Sequence, residues 1–341
     1  MLAKLHLQVP FELTLPQGDQ YKLYEFVDDG YRIRFDVPSP SGKPFPVDAP
    51  EQVAINGKPA VIADVISITF QKEQFSRGID SPIDPPQDVI QKSLDFFLAR
   101  LKYVSKAPQV RPMQLGDSHW HIEYLNDDGT ELEQVDGLVR GRGSRRFSFS
   151  YLGCDPALWD LLFTLPGDFD IPAWHTLLVD SRGALPHVGS ALVLAATALE
   201  VFVAELLEKL AQDSSLSGEF WKWLNSRKKE PSVEEQYDVL LKEFTGHTLK
   251  EDNKLWAAFQ NLKNVRNTFV HTGIAKLGEG VVSSNDALQR IGDAESIVLK
   301  IREWIPEKHR WPLIEHSIEI QFIKLISGPV ATESLANNGS A

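Results

Sequence analysis

From residue 1 to about 152 the chain alternates apolar and polar positions and breaks at tight-turn residues. In YKLYEFVDDGYRIRFDV the turn Asp28-Asp29-Gly30 separates two alternating runs, the period of a hairpin with one buried face. Further turns are predicted at Asn56-Gly57 and at Asp127-Asp128-Gly129. Between them, Ile90, Leu94, Phe97, Leu98, Leu101 and Val104 recur at helical spacing, which predicts one amphipathic helix laid on the sheet. Antiparallel strands plus helices make this an α+β half.

The pattern changes at Asp155-Pro156, where Asp as N-cap and Pro at the first helical position open the run ALWDLLFTL. A short helix AWHTLLVD follows Pro166-Gly167. Beyond Pro186 the strand signal gives way to helical segments at 188 to 211, 218 to 226, 232 to 244, 251 to 271 and 285 to 304. Short loops between amphipathic helices predict an antiparallel all-α bundle. HSIEIQFIKL alternates again, with Ile318, Ile320 and Phe322 on one face, and predicts a strand returning to the first domain. The tail SGPVATESLANNGSA has a disordered composition. The expected map is an α+β module over 1–165, a connecting helix over 166–184, a helical bundle over 185–310, and a return strand and tail over 311–341.

Length fits two domains, since 341 residues exceed the roughly 250 to 300 at which one core stops growing. With 43% apolar and 24% charged residues, collagen-like and wholly disordered chains are excluded. The most apolar stretch, ALVLAATAL, runs into Glu200 and then Glu205, so it reads as a core helix and no membrane partner is expected. The formal charge of −12 provides no long-range attraction for polyanions, so a nucleic-acid site would have to be local. A single cysteine, Cys154, and an N-terminus without an apolar signal core place the chain in the cytoplasm as an expectation.

The leading candidate for chemistry is LWAAFQNLKNVRNTFVHTG. Leu255, Phe259, Leu262, Val265 and Phe269 form a core stripe, while Gln260, Asn264, Asn267 and His271 fall on another face at spacings of three and four. Asn267 stands one turn before His271, where its amide could hold one imidazole tautomer. Arg266 flanks the same place, and Gly273 supplies the helix stop. Glu200 shares its side of the first bundle helix with Val193, Ala196, Val203, Ala204 and Leu207. A carboxylate there needs a partner, and Arg266 is the expected one. The bland readings are a histidine complementing a helix C-terminus, an ordinary salt bridge for Arg266 and a helix-edge glutamate.

RNTFVH followed by TG resembles the R-N-x-x-x-H signature of the HEPN superfamily of small helical bundles, many of whose members are RNA-cleaving toxins or antiviral defence effectors. The similarity spans residues 185 to 306 and includes the long helix SALVLAATALEVFVAELLEKL with Glu200. Of the Arg-x(4 to 6)-His spacings in the chain, only Arg266/His271 is not interrupted by proline. The resemblance implies a metal-independent endoribonuclease, with Arg266, Asn267 and His271 catalytic, Glu200 supporting, and 2′,3′-cyclic phosphate ends as product. RNA brings its own 2′-OH nucleophile, so a base, an acid and positive charge on the phosphate suffice, and no cofactor is expected. One chain offers one suitable histidine, and a two-fold homodimer would supply both acid and base. A prokaryotic defence or toxin role belongs to the resemblance, as does the alternative of a non-catalytic HEPN-like module that binds RNA, a nucleotide or a protein. The first domain would then sense a regulatory ligand or protein partner.

Weaker constellations remain. Arg140, Arg142, Arg145 and Arg146 beside Phe147, Phe149 and Tyr151, and the run Arg227-Lys228-Lys229, are candidate RNA contacts, with solvated turns and helix-end charge as alternatives. His119, His121 and Glu123 would line one face of a strand as metal ligands, against the reading of a plain solvent face, which is preferred. Cys154 reads as a buried structural thiol.

Overall fold

Strict alternation makes β1 (Leu2–Pro16) the organising strand: Ala3, Leu5 and Leu7 are sealed, while Lys4, His6 and Gln8 face the other side. The computed structural model describes residues 2–40, 52–72, 85–126, 130–136, 151–214, 231–314 and 320–323. They divide into two compact units, one of Met1–Ser93, Gln114–Leu161 and His316–Ala341, the other of Leu94–Met113 and Leu162–Glu315. The boundary falls inside helix α1 (Gln87–Ser105), whose Ile90, Leu94, Phe97, Leu98, Leu101 and Val104 are all buried.

The first unit is a mixed α+β fold around an antiparallel sheet. β1 pairs with β5 (Lys58–Gln71) on one side and β6 (Trp120–Leu125) on the other. β2 (Tyr24–Asp28) and β3 (Tyr31–Ser39) form a hairpin whose second strand joins β5, and β4 (Gln52–Ile55) pairs with β5 nearer its start. Asp29 and Gly30 take φ of 48° and 78°, and Asn56 and Gly57 take 49° and 79°, the left-handed pairs a two-residue hairpin turn requires. β7 (Glu131–Asp136) pairs with β6, though the turn predicted between them lies outside the described residues. β8 (Tyr151–Gly153) corrects the expectation of uniformly antiparallel strands, because it runs parallel to β1. β11 (Ile320–Ile323) is antiparallel to β4.

Helix α2 (Pro156–Thr164) starts as its sequence predicts, with the Asp155 carboxylate accepting the Leu158 N–H at 2.9 Å. In the second unit α3 (Ala173–Gly183), α4 (Val188–Gln212), α5 (233–245), α6 (Asn253–Thr272) and α7 (Ser284–Trp304) share one apolar core. α4 contributes most to it, through Leu192, Ala195, Leu199, Phe202 and Leu206 among others. By length and composition α4 is apolar enough to cross a bilayer, yet this face is buried against the neighbouring helices. The helix predicted at 218–226 and the tail after 323 lie outside the described residues.

The expectation of an exclusively helical second half is corrected by a short ribbon between α6 and α7. Its strands are β9 (Lys276–Leu277) and β10 (Gly280–Val281). Gly278, at φ of 59°, makes the turn, in a segment too short and glycine-rich to sustain a helix.

Candidate functional site

Helix α6 is held at both ends. The Asp252 carboxylate accepts from the N–H groups of Lys254 and Leu255, and Gly273 at φ of 71° closes the last turn onto the Phe269 carbonyl. Phe259, Leu262 and Val265 are buried, with Leu255 and Phe269 packed at the edge of the same core. That fixes the rotation of the helix and carries Arg266 toward α4. Arg266 Nη2 lies 3.6 Å from Glu200 Oε2, and Nη1 donates to Asn267 Oδ1 at 3.0 Å. Arg266 Nε is shielded from solvent and makes no hydrogen bond among the described residues.

These side chains line an open cavity of about 190 Å³ with Ala196, Leu199 and Phe259. On its other rim Glu234 accepts from Lys263, and Ser232 caps α5 by accepting the Glu235 N–H. Lys263 first and Gln260 second hold the Glu234 carboxyl below the usual carboxylate range. With side chains 32% and 35% exposed, Arg266 and Glu200 are screened, so their pairing aims the guanidinium more than it stabilises the fold.

A π-type turn at Gln236–Leu240 delivers Tyr237, which sequence reasoning did not single out, to the core against α4. Its phenol is fully buried and donates to the Leu199 carbonyl at 2.7 Å. Burial, and then the nearby Glu200, push its ionisation well above the ordinary tyrosine range. The only prior signal was Tyr237 itself, an aromatic residue five positions after the Ser232 cap.

His271 is placed differently. It is exposed on the last turn of α6 and does not line the cavity. Five positions on an ideal helix rotate by about 140°, which separates His271 from Arg266. The hydrogen bond expected between Asn267 and His271 is not formed among the described residues; the Asn267 oxygen is taken by the charged guanidinium, the stronger donor. The histidine is flanked by exposed Val270 and Ile274.

The candidate RNA contacts Arg140, Arg142, Arg145, Arg146, Arg227, Lys228 and Lys229 lie outside the described residues. The metal constellation needs correction. His119 precedes β6 and is exposed, and its carbonyl accepts the Gln8 N–H. The imidazole facing His121 belongs instead to His6 of β1, directly opposite in register. Cys154 is sealed, and burial with the adjacent Asp155 pushes its thiol up to about 12, the state of an inert structural cysteine.

Comparison of the chain with family models, curated proteins and solved structures finds no match.

Proposed function

We propose that the second unit is a HEPN-like helical module that cleaves RNA without a metal, in a site completed by a second copy of the chain. The observation carrying this reading is the Glu200–Arg266–Asn267 array at an open cavity, with exposed His271 one turn beyond on the same helix.

Each residue has a chemical task. Arg266 keeps a permanent charge and a planar donor fork, which suits the phosphate at the point of attack. Glu200 and Asn267 hold that fork in one orientation. An imidazole can remove the 2′-OH proton or protonate the departing 5′-oxygen, but not both in one step. Divergence of Arg266 and His271 within one chain, together with exposed Val270 and Ile274 beside the histidine, supports supply of the second imidazole by a two-fold related copy. Cytoplasmic defence or toxin action, with the first unit as its sensor, accompanies this reading.

The deciding assay incubates the purified full chain with labelled RNA in excess chelator and compares wild type with His271→Ala. Cleavage by wild type alone, leaving 2′,3′-cyclic phosphate ends, supports the nuclease. Retention of RNA without cleavage makes the module a binder, and a strict monomer at micromolar concentration removes the shared site.

A further inference from the structure

On the polar face of the sheet, strand register gathers three donors that are far apart in sequence. His6 on β1 stands directly opposite His121 on β6, and Glu123 lies two residues further along β6 on the same face. His6 Nε2 is 3.3 Å from Glu123 Oε2, and His121 Nε2 is 3.6 Å from Glu123 Oε1. One donor atom from each residue falls within 4.8 Å of the others. From these three side chains we infer a divalent transition-metal site in the first unit, for which zinc is the best-fitting ion, with at least one coordination position left open to solvent.

Geometry supports this more directly than composition does. Bonds of about 2.0 to 2.1 Å to nitrogen and oxygen in a tetrahedron place neighbouring donors roughly 3.3 Å apart. The two carboxylate-to-imidazole separations, one to each oxygen of Glu123, are close to that length, and with a single atom taken from each residue the set stays within 4.8 Å. The imidazoles stack with centroids 4.7 Å apart and planes 18° from parallel, and both Nε2 atoms lie beside the Glu123 carboxylate.

The surroundings prepare the donors. Ser67 Oγ lies 2.9 Å from His6 Nδ1, the outer contact that orients a histidine ligand and leaves Nε2 as the coordinating atom. His6 Nε2 is shielded from solvent, and among the described residues its near polar neighbour is the Glu123 carboxylate, the third donor of the set. Lys4, opposite Glu123 in register, pairs its ammonium with Asp36 at 3.5 Å, which offsets its positive charge beside the site. With side chains 17% to 35% exposed, the three donors are reachable from solvent. Two imidazoles and one carboxylate favour zinc-like ions over magnesium or calcium, which prefer oxygen donors.

Calorimetric titration of chelator-stripped full-length protein with Zn²⁺, and visible spectroscopy after loading with Co²⁺, test the site without reference to any RNA activity. The expected result is one saturable ion per chain and d–d absorption of a low-coordinate cobalt centre. Both should be lost in His121→Ala and Glu123→Gln, with affinity about 10-fold weaker in Ser67→Ala. His119→Ala should bind as wild type does. Far-UV circular dichroism checks each variant; if His121→Ala does not fold, Glu123→Gln, which keeps shape and removes charge, decides. Absence of saturable binding in wild type, or unchanged binding in Glu123→Gln, overturns the assignment.

Discussion

The ring of Phe269 lies against the Cα of Gly189, so close that a Cβ built on the glycine would fall 2.0 Å from its edge. Contact between the first turn of α4 and Phe269, two residues before His271 on α6, thereby depends on the side chain that Gly189 lacks. Gly189→Ala must push the ring aside. The cost should be about 1 to 3 kcal/mol, the range for overpacking a filled contact. The thermal midpoint should fall, and RNA cleavage, if the proposed function holds, should drop further than folding loss alone explains. Equal losses would show that this contact does not position the histidine.

Arg266→Lys is expected to leave the fold nearly intact while removing the planar fork. Because the ion pair with Glu200 is about one-third exposed, its loss should cost at most about 1 kcal/mol in urea unfolding. Under the nuclease reading, kcat should fall roughly 100-fold or more with little change in KM, the pattern for charge stabilisation made in the transition state. Glu200→Gln should produce a smaller loss of the same kind, because it loosens the aim of the guanidinium without removing it.

Arg100 carries a structural load that a substitution should reveal. It is buried, and its guanidinium donates to the carbonyls of Leu162, Leu165 and Pro166 at 3.0, 2.9 and 2.6 Å, satisfying the end of α2 and the turn after it. Arg100→Met keeps most of the volume but orphans those acceptors. A loss of about 3 kcal/mol or more is expected in the urea midpoint. Arg100→Lys, with donors on a single nitrogen, should recover only part of it.

His175 should make stability depend on pH. Burial first, then Lys106 and Lys102, depress its pKa from 6.5 to about 4, and its ring packs against Tyr103 with centroids 4.4 Å apart. Between those values the unfolded chain holds more protons than the folded one, so folding stability rises with pH. The contribution is complete above about pH 6.5 and is lost as pH falls toward 4, by up to about 3 kcal/mol. Urea unfolding at pH 5 and pH 7 should show the difference, and His175→Phe should flatten it.

Local signals were readable where a side chain answers to its immediate neighbours in sequence. Asp29-Gly30 and Asn56-Gly57 make their turns because short-range sterics admit the left-handed pair there. The spans of α4, α6 and α7 follow the apolar period, and Asp155 and Gly273 mark helix ends by bonding within a few residues. The pairing expected for Glu200 could be named because a carboxylate among aliphatic residues needs a cation. Contacts decided by distant partners were harder to read. His119 and His121 are neighbours along the chain, but His6 reaches His121 only through the register of β1 against β6.

The sequence by itself determined which stretches alternate, which coil and where they stop, since those preferences act over one or two turns of backbone. Only the tertiary structure decided that Asn267 serves Arg266 and not His271, that Tyr237 bonds the Leu199 carbonyl, that Arg100 closes a helix sixty-odd residues away, and that His6 joins Glu123. These pairings depend on strand register and on how helices rotate about their axes, which the burial of the whole core fixes at once. No local stretch of the chain carries that information.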